Sequence, residues 1–194
     1  KCMFTPAENA EDNAEAGIED LKNRNFSQKD ILIGISASGS ASYVISAVNY
    51  AKSIGAKTAS ITNNPDTALG KAADIDICAD TGAEVITGST RMKAGTAQKI
   101  ILNMISTASM VKCGCVYENM MINLRPTNKK LRQRMIRIVT EILACTNEKA
   151  EQPIPATSPT LSPTLSAIVA GLRGSSSGIL AMNVRLLGIV TLST

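Results

Sequence analysis

An α/β domain, with a parallel β-sheet flanked by helices in the Rossmann-like manner, is the fold class that this sequence predicts. Three observations carry that expectation. Short β-branched runs alternate with helical segments between Asp30 and Val111, the pattern of parallel strands joined by helices. A loop of small residues follows directly on the first run, and parallel sheets bind ligands beyond the carboxyl ends of their strands. Apolar residues in the first intervening segment recur at i, i+3, i+4 and i+7, which is one face of a helix.

Taken in order, Asp30-Ile-Leu-Ile-Gly-Ile-Ser36 reads as the first strand, ending in the loop Ser36-Ala-Ser-Gly-Ser-Ala41. Tyr43 to Ile54 places Val44, Ala47, Val48 and Ala51 at helical spacing, and Gly55 ends that helix as a C-terminal glycine commonly does. Thr58 to Thr62 is the second strand, broken by the turn Asn63-Asn-Pro-Asp66. A short alanine-rich helix leads to the third strand, Ile75 to Cys78. Thr90 to Val111 then reads as one long, nearly all-apolar helix. Such a helix is usually buried, either in a core or in a dimer interface. A further helix, Asn128 to Ala144, carries Leu131, Met135, Ile138, Val139 and Ile142 on one face, and its basic residues form a solvated opposite face.

Past Asn147 the character changes. Pro153 to Pro163 is rich in serine, threonine and proline, and after Glu151 the only charged residues are Arg173 and Arg185. No elements are predicted for such a segment. The expected organisation is therefore a sheet domain over 1–146 and a low-complexity tail over 147–194.

Composition narrows the chemistry. The 194 residues are 44% hydrophobic, enough for one domain with a core. Twenty lysines and arginines against 16 acidic residues give a net charge of +4, and aromatics make up 3%. No basic stripe interleaved with aromatics is present, which argues against nucleic acid as a partner. The chain has no histidine, so histidine triads and most catalytic zinc sites are excluded. Proton transfer falls to carboxylates, lysines or tyrosines. Five cysteines at irregular spacing include Cys113 and Cys115 without a second pair, which reads as reduced thiols in the cytoplasm with no metal. No signal peptide is visible. Leu172 to Leu192 is interrupted by Arg173, Arg185 and several Gly and Ser, which argues against a membrane span.

The densest chemistry lies in Glu84-Val-Ile-Thr-Gly-Ser-Thr-Arg-Met-Lys-Ala-Gly-Thr-Ala-Gln-Lys99. Hydroxyls, backbone N–H groups and two cations stand together at the expected mouth of a helix, where unpaired donors and the positive dipole end favour a phosphate. Arg91 and Lys93 beside Ser89 and Thr90 fit that role. Ser36-Ala-Ser-Gly39 is a second candidate, a strand-to-helix loop that could form an anion-binding nest.

These two segments, together with Ser60-Ile-Thr-Asn-Asn-Pro65, Leu102-Asn-Met104, Thr127-Asn128 and the acidic Ala7-Glu-Asn-Ala-Glu-Asp-Asn13, resemble the N-acetylmuramic acid 6-phosphate etherases. The resemblance runs from Ala7 to Thr146 and implies the sugar isomerase (SIS) fold, with the N-terminal part of the domain missing. It implies cleavage of the D-lactyl ether of N-acetylmuramic acid 6-phosphate by elimination. A base takes the C2 proton, lactate leaves from C3, and water adds to give N-acetylglucosamine 6-phosphate. No metal or organic cofactor is implied. By the same resemblance Glu11 is the catalytic carboxylate, with Glu8 the alternative one turn away. Ser36, Ser38, Gly39, Glu84, Ser89, Thr90 and Lys93 bind the sugar 6-phosphate. SIS domains commonly pair, which implies a homodimer.

The chain departs from the family in two places. The family's other catalytic glutamate and its first glycine-rich phosphate loop lie upstream of this sequence. Where the family generally reads Gly-Arg-Thr-Pro-Tyr-Val, this chain has Gly39-Ser-Ala-Ser-Tyr-Val44, which lacks a bidentate cation and a hydroxyl. The tail does not resemble the family's C-terminal part and is expected to be truncated or read out of frame; an identical in-frame tail in the parent gene would refute that. Two other readings share the motifs: a non-catalytic sensor similar to the glucokinase regulatory protein, and a sugar-phosphate isomerase. Lactate release separates the etherase from the sensor.

Overall fold

The computed structural model describes residues 9–151 and 186–190. Cys2, Glu8 and the serine- and proline-rich stretch lie outside the described residues. A 3-10 turn at Ala10–Asp12 precedes α1 (Ala14–Asn23), β1 (Ile31–Ile35), α2 (Ser42–Ser53), β2 (Lys57–Thr62), α3 (Ala68–Ala72) and β3 (Ile75–Cys78). Then come α4 (Lys93–Lys112), β4 (Val116–Tyr117), β5 (Met120–Met121), α5 (Lys129–Leu143), α6 (Asn147–Glu151) and β6 (Leu186–Val190). The chain forms two compact units, one reaching Asn103 and including β6, the other beginning at Met104.

In the first unit the strands lie in the order β3-β2-β1-β6 and every pairing is parallel. Ile31 stands opposite Lys57, and Ala59 opposite Ile75. The loops that follow β1, β2 and β3 therefore leave from one edge of the sheet. The α/β expectation holds, with each predicted strand in place. The segment past Asn147, for which the sequence predicts no elements, supplies α6 and β6. β6 takes its place by pairing with β1, a partner far along the chain that local periodicity does not record.

β1 and α2 make the centre of this unit. Leu32 and Ile35 are buried from β1, and Val44, Ala47, Val48 and Ala51 from α2, as their spacing predicts; Leu21, Phe26 and Leu69 close the cluster. Leu21 comes from α1, an element the sequence reading did not identify. Its N-cap is Asn13, whose side chain accepts from the Ala16 N–H at 3.0 Å.

α1 lies hard against α2. Ser46 Oγ donates to the Ala14 carbonyl at 2.5 Å, and Tyr43 Oη donates to Asp20 Oδ2 at 2.5 Å. The Tyr43 phenol is pushed up to about 12, first by burial and then by its hydrogen bond to Asp20 and that residue's charge, with Arg24 acting the other way. The folded chain thus holds this proton more tightly than the unfolded chain does. Its contribution is complete below about pH 10, the ordinary tyrosine value, and falls as pH rises through the folded value. Tyr43→Phe is expected to flatten that alkaline loss, as read from urea midpoints on either side of about pH 10.

α4 corrects the expected start and one of its two expected burials. It begins at Lys93, not Thr90, and it is not a core helix within this chain: Ala94 and Gln98 are its buried residues, while Ile100, Met104, Met110 and Val111 are exposed. Its apolar residues are spread around the cylinder, so the stripe of Ala94 and Gln98 is covered and most of the rest stays open.

The second unit holds the antiparallel β4–β5 pair and α5. Asn128 caps α5 by accepting from the Leu131 N–H at 2.9 Å. The face predicted to be apolar packs inward, with Met135, Ile138 and Val139 buried and Leu131 and Ile142 half-buried. Among the described residues no helix is long and apolar enough to cross a membrane.

Candidate functional site

The loop after β1 is built by its serines. Ser36 is buried, its N–H donates to the Ile61 carbonyl at 3.1 Å, and its Oγ accepts from the Gly39 N–H at 3.1 Å. The hydroxyls continue as a ladder, Ser36 to Ser38 at 3.5 Å and Ser38 to Ser40 at 2.9 Å, which ends exposed to solvent. Gly39 turns the chain with φ +68, a conformation that favours glycine. Its carbonyl accepts from the Leu69 N–H at 3.0 Å, drawing Thr67 against it. The loop runs straight into α2, whose N-cap is Ala41 and has no side-chain cap. Alanine stands there where the family pattern has threonine. The first turn of α2 thus has no side-chain acceptor, and it begins beside the serine ladder.

The segment after β3 is held differently. Lys93 Nζ donates to the Thr81 carbonyl at 3.2 Å and to the Ala83 carbonyl at 2.7 Å. Glu84 Oε1 accepts from the Ala94 N–H at 3.2 Å, placing a carboxylate at the positive end of α4. Two of the predicted ligand residues therefore clasp their own segment to the first turn of α4. Between them lie Ser89 and Thr90, both half-buried; Ser89 Oγ accepts from the Arg91 N–H at 3.4 Å, and the Thr90 carbonyl accepts from the Gly95 N–H at 3.1 Å. Glu84 Oε2 is, alone among the buried side-chain polar atoms of the described residues, without a hydrogen-bond partner.

Asn63 ties the two segments together. Its N–H donates to the Ala37 carbonyl at 3.0 Å, its Nδ2 to the Ala79 carbonyl at 3.0 Å, and its Oδ1 accepts from Gln98 Nε2 at 2.9 Å. One buried amide thus joins the ends of β1, β2 and β3 to α4. Asn64 adds a bond from Nδ2 to the Ala37 carbonyl at 3.0 Å. Asn63 and Gln98 stand within the motifs that carry the resemblance, and neither has a role predicted from the sequence. The available signal was a glutamine among apolar neighbours in α4, since buried polar groups are paired.

Ser36, Ser38 and Gly39 thus share the loop after β1, while Glu84, Ser89 and Thr90 lie in the segment after β3 and Lys93 opens α4. Glu11 is half-buried in the 3-10 turn before α1, a turn that packs against α2. Among the described residues no hydrogen bond or ion pair joins it to either loop. No cluster of three or more histidine, cysteine or acidic residues capable of holding a metal occurs among the described residues. An open groove of about 820 Å³ runs along α5 in the other unit, lined by Lys130, Arg134, Arg137 and their neighbours. One helix and its cap supply the whole lining, so it is the gap between long basic side chains.

The SIS domain family model matches residues 10–108, about half of the chain, and spans both loops. The N-acetylmuramic acid 6-phosphate etherase of Actinobacillus pleuropneumoniae serotype 5b is 52% identical over 151 residues, 78% of this chain and 50% of that protein. N-acetylmuramic acid 6-phosphate etherase 2 of Vibrio cholerae is 49% identical over 151 residues, 78% of this chain and 49% of its own. The etherase of Clostridium botulinum strain Okra is 52% identical over 150 residues, covering 77% and 50%. The chain spans about half the length of the curated relatives it matches.

Proposed function

The chain belongs to the SIS-domain family, and on that premise we propose that it acts on N-acetylmuramic acid 6-phosphate as a carbon–oxygen lyase in cell-wall sugar recycling. The observation that carries this reading is an identity near one half to proteins named as etherases, over more than three quarters of the chain.

In this proposal the phosphate rests on Ser36, Ser38 and Gly39 at the uncapped start of α2, where the positive helix end stabilises a dianion. Ser89 and Thr90 offer hydroxyls from the neighbouring loop. Lys93 and Glu84 keep that loop in place through the carbonyls of Thr81 and Ala83 and the N–H of Ala94. The second oxygen of Glu84 is the acceptor left for a sugar donor. Glu11 takes the C2 proton, lactate departs from C3, and water completes the product. The resemblance puts the second glutamate in the part of the family's length that this chain does not span. No metal or organic cofactor takes part. The protein works in the cytoplasm as a homodimer that uses the apolar faces of α4, with neither nucleic acid nor membrane as a partner.

The test is lactate release from N-acetylmuramic acid 6-phosphate by this chain and by Glu11→Gln. Release is expected, with a loss of about 10²- to 10⁴-fold in the variant, the usual worth of a positioned general base. Sugar 6-phosphate binding without release would support the sensor reading, and absence of both would refute this proposal.

A further inference from the structure

We infer that Cys113 and Cys115 form a dithiol–disulfide couple, a redox modification site that takes a small-molecule disulfide as its oxidant. The four cysteines among the described residues are free thiols, and Cys113 is exposed while Cys115 is half-buried. Both sit at the end of α4, where the chain reverses through Gly114 at φ +73. The reversal is a Schellman cap: the Cys115 N–H donates to the Met110 carbonyl at 3.0 Å, and the Gly114 N–H to the Val111 carbonyl at 3.1 Å.

That turn brings the Cys115 sulfur back over the residue with which it would pair. Its thiol lies 3.9 Å from the Cys113 carbonyl oxygen. Asn123 Nδ2 donates to the same sulfur at 3.5 Å, fixing the side chain over Cys113. The backbone on the far side is held as well, since the Cys115 carbonyl accepts from the Ile122 N–H at 2.9 Å. Nothing lies within 4 Å of where a Gly114 Cβ would be, so the turn is open to an incoming reagent.

The roles follow from exposure. The Cys113 thiolate attacks one sulfur of the oxidant, whose S–S bond breaks and expels one small thiolate. The Cys115 thiolate then attacks the Cys113 sulfur of the mixed disulfide, forming the internal bond and expelling the second. Two protein thiols lose two electrons and two protons, and the oxidant becomes two thiols. A disulfide closed across one residue is strained, and strained bonds are readily reduced, which makes the modification reversible.

The experiment treats the reduced full chain with oxidised glutathione, quenches by alkylation, and maps the peptides by mass. The peptide carrying Cys113 and Cys115 should become two hydrogens lighter and resist alkylation, and dithiothreitol should restore it. Cys115→Ser should instead trap glutathione on Cys113. A stable glutathione adduct on Cys113 in the unmodified sequence, or pairing of Cys113 with Cys2, Cys78, Cys145 or a second chain, would overturn the proposal. Closure no faster in the native chain than in guanidinium would overturn the part played by the turn.

Discussion

A Gly17→Ala variant is expected to lose about 3 kcal/mol of stability, the upper part of the range for overpacking a close contact. A methyl at Gly17 would lie 2.2 Å from the Tyr43 carbonyl oxygen and 2.9 Å from Ser46 Oγ. The first is backbone, fixed inside α2, so the relief must come from α1 moving away. Movement would break the Tyr43–Asp20 and Ser46–Ala14 bonds and loosen Leu21 from its cluster. Helix propensity works in the opposite direction, because alanine in a helix interior is better than glycine by about 1 kcal/mol. The sign of the result therefore decides between contact and propensity. A lowered urea midpoint at unchanged slope supports the close approach, and a raised one refutes it. Since the turn bearing Glu11 leads directly into α1, lactate release should fall along with stability.

Gly39→Ala is expected to weaken sugar 6-phosphate binding at least tenfold, equivalent to about 1.4 kcal/mol, and to destabilise the fold by about 2 kcal/mol. Two causes combine. A φ of +68 is unfavourable for any residue with a Cβ, and the added methyl would stand 2.4–2.6 Å from the side-chain atoms of Thr67. The steric part can be isolated with Thr67→Gly, which removes those atoms. That change also removes the Thr67 cap on the Gly70 N–H, so a double-mutant cycle is needed. Thr67→Gly should recover part of the stability lost on Gly39→Ala, leaving the backbone conformation as the remainder. Full additivity would show that Thr67 is not what Gly39 accommodates. Titration with glucosamine 6-phosphate reads the binding, and a variant that binds as well as the parent would remove the loop after β1 from the site.

Much of the fold was legible in the sequence. β1, β2 and β3 were marked by short β-branched runs, and α2 and α5 by apolar spacing that became buried faces. Their periodicity is set by local geometry, which a linear pattern records. α1 escaped because its buried positions are one glycine and one leucine, too few to make a stripe. α4 is legible as a helix but is not a core helix of this chain, since hydrophobicity reports what a helix could bury and says nothing of what covers it. The serine loop and the Glu84–Lys99 run stand out in the sequence as well, because hydroxyls, glycines and cations lie close together there, and the structure places both segments beyond strands of one sheet.

What that sequence determined by itself, then, is the succession of three strands and their helices along the chain, the two loops beyond them and the family of the chain. Only the tertiary structure decided how those loops are used. It set Ala41 at an uncapped helix start and turned Glu84 and Lys93 inward onto their own segment. It also made Asn63 the knot joining three strand ends to Gln98. The clasp of Glu84 and Lys93 joins residues 10 to 12 positions apart, and Gln98 lies 35 positions beyond Asn63. A hydrogen bond needs its donor and acceptor within about 3 Å of one another. Propensity and periodicity extend over a few turns, so they could not have placed those atoms together.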